Sequence, residues 1–310
     1  MSPGPAPPDG TRPSAHRLVR DYVRALRPRQ WSKNILVFMA PAAAGVLVHL
    51  NVFLHALGVF GIFCVVASGT YLVNDALDAE ADRRHPKKRH RPVASGAISE
   101  PAAASIGLSL AAIGLAGAWL LAGWQFFLVM AAYVAVPALG YSLWLKREPV
   151  IEMGVVASGF VVRAVAGGVG THVPLTNWFL VVTSFGALFI VAGKRAAEYQ
   201  HLGEDRGAHR AVLSQYSRTF LQSTLVLSAT VTVTAYCLWA FDRTGLAGHR
   251  GDHPVVIELT VVPVILGVLH VLWLLLDSKG GTPEDLALSD HQLQILGLFW
   301  VALFAIGVYA

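Results

Sequence analysis

Residues 53–96 read FLHALGVFGIFCVVASGTYLVNDALDAEADRRHPKKRHRPVASG. Residues 53–73 contain no Asp, Glu, Lys or Arg. A helix needs about 20 apolar residues to cross a bilayer, so this stretch is a membrane span. It runs without a break into three aspartates and then into a dense basic run. The rest of the chain agrees with a membrane setting. Of 310 residues, 55% are hydrophobic and only 14% charged, with a mean hydropathy of +0.54. A soluble domain carries about 25% charged residues.

Further apolar stretches place spans at 34–50, 53–73, 101–121, 123–145, 150–170, 176–194, 217–241, 254–276 and 292–310. The expected fold is all-α: a polytopic bundle of about nine transmembrane helices with a cytoplasmic polar cap. The runs are too long for strands and lack their period-two alternation. The Pro- and Gly-rich residues 1–17 have no apolar core like that of a secretory signal and read as a disordered tail. Residues 18–310 form the membrane domain, opening with an amphipathic interfacial helix over 18–30. Cys64 and Cys237 both fall in apolar stretches, which points to neither a disulfide nor a metal pair.

Positive charge orients the bundle. With the N-terminus in the cytoplasm, 21 of the 24 Lys and Arg residues fall on that side. Only Arg243 and Arg250 fall opposite, and Arg163 lies within a span. Cytoplasmic loops carry such an excess. The expectation is a multi-pass plasma-membrane protein with its N-terminus and polar cap inside and its C-terminus outside.

The acidic cluster is read as a continuation of the second span. At 100° per residue Asp75 and Asp82 nearly eclipse, and Asp78 lies about 60° away. Asn74 stands beside them. Like charges this close call for a cation, and hard oxygen ligands without His or Cys favour Mg²⁺. Such a Mg²⁺ commonly completes its shell with substrate phosphate and water. In the basic run that follows, Pro86 and Pro92 stop the helix, so the segment folds back as a loop. Lys88 and Arg91 are its leading phosphate contacts.

Three further places carry charge suited to phosphate. Lys33 and Asn34 open the first span, where a helix start favours anions. Lys194 and Glu198 share a helix face at the end of the sixth. Arg163 lies deep in the fifth span, where a charge is costly and faces the bundle interior. Tyr141 and Lys146 close the fourth span on the same side.

NDALDAEAD resembles the NDxxDxxxD signature of the UbiA superfamily of membrane prenyltransferases, and the resemblance covers the chain from about residue 24. RPRQWSKN, the 71–96 stretch and GKRAAE are most similar to one branch of that superfamily. That branch moves a 5-phosphoribosyl group from phosphoribosyl pyrophosphate to decaprenyl phosphate, for arabinan and cell-wall synthesis. The resemblance implies that Asp75, Asp78 and Asp82, with Asn74, bind the Mg²⁺–diphosphate of the donor. It also implies membrane lipid as the setting and no nucleic acid partner. Small residues in the spans permit homo-oligomers.

Aromatic prenyltransferases of the superfamily carry a second motif, DxxxD, after the sixth span. Here that place reads KRAAE, with Lys194 for the first acid. A donor and acceptor with several phosphates need more cations and fewer acids, which favours phosphoribosyl transfer. The alternatives are prenyl transfer to an aromatic or other small acceptor, and an anion transporter. The second lacks the repeated, interrupted helices of midplane transport sites.

Overall fold

The computed structural model describes residues 15–86, 88–140, 145, 148–201, 211–244, 253–277 and 282–310. Every regular element among them is helical. An amphipathic α1 (Ala15–Leu26) leads into a 3-10 segment (Pro28–Phe38) and a short α2 (Met39–Ala43). The bundle continues with α3 (Leu50–Leu77), α4 (Ala79–Arg84), α5 (Glu100–Tyr133), α6 (Ile151–Gly170), α7 (Asn177–His201) and α8 (Arg218–Thr244). It closes with α9 (Pro254–Leu259), α10 (Val261–Leu276), α11 (Pro283–Ser289) and α12 (His291–Tyr309). Seven helices among the described residues are long and apolar enough to cross a membrane. The disordered tail expected over 1–17 lies mostly outside the described residues, and α1 begins at Ala15.

The first expected span, an α-helix over 34–50, is corrected. The chain crosses earlier, as the 3-10 segment followed by α2, and residues 44–49 form the turn into α3. A 3-10 turn rises about 2.0 Å per residue and an α turn about 1.5 Å, so the segment advances roughly 30 Å. That matches the thickness of a hydrocarbon core. The segment also packs closely against its neighbour. Gly167 on α6 lies so close that a Cβ there would fall 1.9 Å from the Val37 carbonyl oxygen. The third and fourth expected spans are two helices joined almost without a loop, the chain turning back, as expected, at Ala122 (φ −143°) and Gly123 (φ 77°). Glycine is the residue that adopts this positive φ without strain.

The two ends of the bundle are distinct. Arg243, at the end of α8, donates to the Ala43 carbonyl, and the Tyr309 hydroxyl donates to that of Ala42 at 2.9 Å. These contacts gather the far ends of the first crossing, α8 and α12. The aspartates lie at the opposite end, where α3 finishes.

Helices approach closely through small residues, as membrane packing favours. Gly69 on α3 faces Gly107 on α5, and a Cβ on either would lie within 2.7 Å of the other's carbonyl oxygen. One core joins α3, α5 and α6 around Phe63, Phe126, Met130 and Ala166. A second joins α6, α7, α8 and α10 around Met153, Phe189, Leu221 and Leu275. Large apolar side chains such as Leu120, Trp119 and Leu298 face outward, where lipid is the solvent. Between the two cores, at the aspartate end, lies a cavity.

Candidate active site

The cavity has a volume of about 410 Å³. Five stretches of chain line it: the 3-10 segment with Arg27 before it, α3, the turn after α5, α6 and α7. Arg27, Gln30 and Lys33 all reach it from the first of these. Residues at i and i+3 eclipse in a 3-10 helix, so the local geometry that corrects the first span also stacks Gln30 and Lys33, while Arg27 reaches the cavity from the residue just before the segment. An α-helix would turn one about 60° from the other. Lys33 Nζ also lies 6.0 Å from the centre of the Phe160 ring.

Arg163 is at the inner end. Its Nε donates to Asn34 Oδ1 at 2.9 Å and its Nη2 to the Tyr133 hydroxyl at 3.2 Å. Its Nη1 donates to the Gly159 carbonyl. The guanidinium lies beside the edge-to-face pair of Phe63 and Tyr133, about 5 Å from each ring. Asn34 is fixed in turn by its contact with Cys64 Sγ at 3.3 Å. Arg163 is only 6% exposed. Among the described residues no carboxylate lies within ion-pair reach of it. It is a buried cation held by neutral groups, an arrangement that favours an incoming anion.

Lys194 and Arg195 enter from α7. Arg195 is heavily partnered. Its Nε and Nη2 grip the two oxygens of Glu152, which is fully buried on α6, with Nε–Oε2 at 3.1 Å. Its Nη1 meets Glu198 Oε2 at 2.8 Å. Glu198 therefore turns to Arg195, while Lys194 lines the cavity.

The wall on the α5 side owes its shape to Pro137. A proline inside a helix removes a hydrogen bond and crowds the preceding turn. Here the chain widens into a π-helical turn, Val134–Gly140, of the kind that often marks functional sites. Pro137 and Ala138 line the cavity, and Asn74 Nδ2 approaches the Ala138 carbonyl at 3.4 Å.

The aspartates adjoin this cavity. The straight helix expected through them is corrected: α3 ends at Leu77, Asp78 is the joint (φ −93°, ψ 4°), and α4 starts at Ala79. The hydrogen bond from Asp82 N to the Asp78 carbonyl, 2.8 Å, keeps the turn nearly helical across the joint. Asp75 and Asp82 stay on one face, both 3% exposed. The basic loop folds back onto them. Arg91 Nη1 lies 3.2 Å from Asp75 Oδ1 and 2.6 Å from Asp82 Oδ2. Lys88 Nζ lies 3.7 Å from Asp82 Oδ1. Arg27 pairs with Asp75 from the cavity side and stacks 5.0 Å from the Tyr71 ring. It is a left-handed residue (φ 55°) at the joint between α1 and the 3-10 segment.

The structure thus brings Lys33, Asn74, Arg163 and Lys194 to one cavity, with Asn34 behind Arg163. Asp75, Asp82, Lys88 and Arg91 meet beside it, joined to it through Arg27. Asp78 is half-buried at the helix joint. Tyr141 and Lys146 lie outside the described residues. Sequence reasoning missed Arg27, Gln30, Tyr133, Glu152 and Arg195. The spacing of three from Lys33 held a signal for Gln30, and KRAAE held one for Arg195. Glu152 pairs across 43 positions of chain, and no local pattern shows that.

Among the described residues no three acidic, His or Cys side chains converge closely enough to enclose a metal by themselves. The donor set still fits a hard cation. A single guanidinium nitrogen sits between Asp75 and Asp82, so their oxygens already converge on one positive charge. Asn74 Oδ1 beside them is buried with no hydrogen-bond partner.

Residues 34–309 match the UbiA prenyltransferase family. The chain is 43% identical over 297 residues to decaprenyl-phosphate phosphoribosyltransferase of Mycobacterium tuberculosis, covering 94% of this chain and 95% of that protein. It is 41% identical over 298 residues to the enzyme of the same name from Corynebacterium glutamicum, covering 94% and 88%. Among solved structures, a UbiA homologue from Archaeoglobus fulgidus bound to GPP and Mg²⁺ superimposes with a TM-score of 0.65 at 20% identity, over 93% of this chain and 98% of that one. A digeranylgeranylglyceryl phosphate synthase superimposes with a TM-score of 0.67 at 16% identity, over 94% and 99%. The bundle, the aspartates at the end of α3 and these matches lead to one statement: this multi-pass membrane protein belongs to the UbiA prenyltransferase family.

Proposed function

We propose that the chain transfers the 5-phosphoribosyl group of phosphoribosyl pyrophosphate to decaprenyl phosphate, releasing diphosphate. Arg163 carries this reading. A prenyl chain entering the cavity would meet a buried cation at its inner end, whereas a phosphorylated pentose would bring an anion, which Arg163 lacks among the described residues. The names of the relatives at 41–43% identity support the same reaction.

Asp75, Asp78, Asp82 and Asn74 are the residues that would hold Mg²⁺ with the donor diphosphate. Bound there, Mg²⁺ supplies charge neutralisation for the leaving diphosphate. Lys33 and Lys194, which line the cavity wall, neutralise the remaining phosphate charge. The bond from ribose C1 to the diphosphate oxygen breaks, and its electron pair leaves with the diphosphate. The ring carbon passes through an oxocarbenium-like state, and an oxygen of the acceptor phosphate forms the new bond, with inversion. That acceptor is ionised at neutral pH, so the step needs no strong base. The described cavity lining contains no His–carboxylate dyad. Holding both substrates in line supplies much of the acceleration. The positive charge at this end of the bundle argues that the cavity opens to the cytoplasm.

The test is transfer of label from phosphoribosyl pyrophosphate to decaprenyl phosphate by the purified protein, with Mg²⁺ and with EDTA. The expected outcome is a lipid-soluble product that forms only with the metal. No product from folded protein would turn the reading toward a polyprenyl diphosphate donor.

A further inference from the structure

The aspartates are not waiting as bare carboxylates. Among the described residues, three cationic side chains contact two of them: Arg27 on Asp75, Arg91 on both, and Lys88 on Asp82. A lone divalent cation approaching this cluster must displace guanidinium groups and leave them beside it. That loses ion pairs and adds like-charge repulsion. A metal–diphosphate complex differs in charge. Its metal can take the carboxylates while its phosphate oxygens take the released guanidiniums, for which arginine has matching geometry. Every charge stays paired throughout the exchange.

We infer that Arg27 and Arg91 are positioning residues that trade Asp75 and Asp82 for donor phosphate, so that metal and donor each bind more tightly in the other's presence. The inference rests on the proposed donor-diphosphate reading and deepens it. Both arginines are placed for the exchange. Arg27 already lines the cavity, and about a quarter of its side chain is exposed. Arg91 sits in the loop after Pro86, with its side chain 31% exposed. The carboxylates they hold are almost fully buried, so the arginines are the parts free to move. By thermodynamic reciprocity, the factor by which donor tightens metal equals the factor by which metal tightens donor.

The test measures Mn²⁺ retained by the full chain in detergent at buffered free-ion concentrations, with and without phosphoribosyl pyrophosphate and with no acceptor present. In the wild-type protein the donor should tighten Mn²⁺ on the order of 10- to 100-fold. In Arg27→Gln and Arg91→Gln, Mn²⁺ alone should bind more tightly than to the wild type, and the gain from donor should shrink. Equal retention by the wild type with and without donor would overturn the exchange while leaving the metal site standing; this arm needs no variant to fold. Unchanged Mn²⁺ affinity in both variants would overturn it as well. Absence of retained Mn²⁺ even with donor would remove the metal–diphosphate reading together with the inference.

Discussion

At the scale of single residues, Asp75 and Arg163 make separable predictions. Asp75→Asn keeps the shape of the side chain and removes its charge. Transfer should fall by about 100-fold or more, the usual cost of losing one electrostatic contact to a transition state, with the melting temperature in detergent nearly unchanged. Arg163→Met should raise the KM for phosphoribosyl pyrophosphate at least about tenfold, since a hydrogen bond to a charged group contributes roughly 1.5–3 kcal/mol. Its melting temperature should change little, because relief of a buried charge offsets the lost hydrogen bonds to Asn34, Tyr133 and Gly159. A fall in stability with KM unchanged would make Arg163 a structural residue. Glu152→Ala belongs with stability: breaking a buried pair costs about 3–5 kcal/mol, and the loss should appear as a lower melting temperature. The sequence made Asp75 and Arg163 visible because each is a charge in an apolar setting. Glu152 has no such contrast, standing at a helix start where acids are ordinary, and only folding shows that it is fully buried against Arg195.

At the scale of elements, hydropathy located most of the helices to within a few residues, since length and apolarity decide what can lie in lipid. It misplaced the first crossing. Hydropathy does not register that 3-10 geometry covers the same thickness with fewer residues, nor that Gly167 lets the segment pack against α6. Two consequences are measurable. Gly167→Ala places a methyl group against the Val37 carbonyl, and such overpacking costs about 1–3 kcal/mol or more. The melting temperature should drop, and activity should drop with it, because Lys33 is displaced. A single alanine inserted after Gln30 should rotate Lys33 by about 120° away from the cavity and weaken donor binding more than it weakens folding. Equal losses in both would argue against the stacked register of Gln30 and Lys33.

For the whole molecule, the charge asymmetry and the contacts at the two ends tell a consistent story. The 3-10 crossing, α8 and α12 finish together at the end remote from the aspartates. The prediction is that a cysteine at Ser95, exposed in the basic loop, is shielded from an impermeant thiol reagent in intact cells, while one at Ala310 is labelled. The reverse pattern would invert the topology. The native Cys64 is buried and should stay silent. The sequence resolved the class of fold and put Asp75 and Asp82 on one face, but not the joint at Asp78. The cavity itself was hidden, because it forms from five separated stretches whose only shared property is where they end.

Arg163 also bears on how the protein is made. A helix with an arginine near its middle enters a bilayer at a cost of about 2.5–3.5 kcal/mol. The side chains that receive that guanidinium, Asn34 and Tyr133, belong to segments that leave the ribosome earlier. α6 should therefore insert poorly when expressed alone and well when residues 1–140 precede it. The chain's own order of synthesis supplies the acceptors before the charge arrives, so a circularly permuted version that starts at α6 should be prone to degradation, even with every contact of the finished bundle available to it.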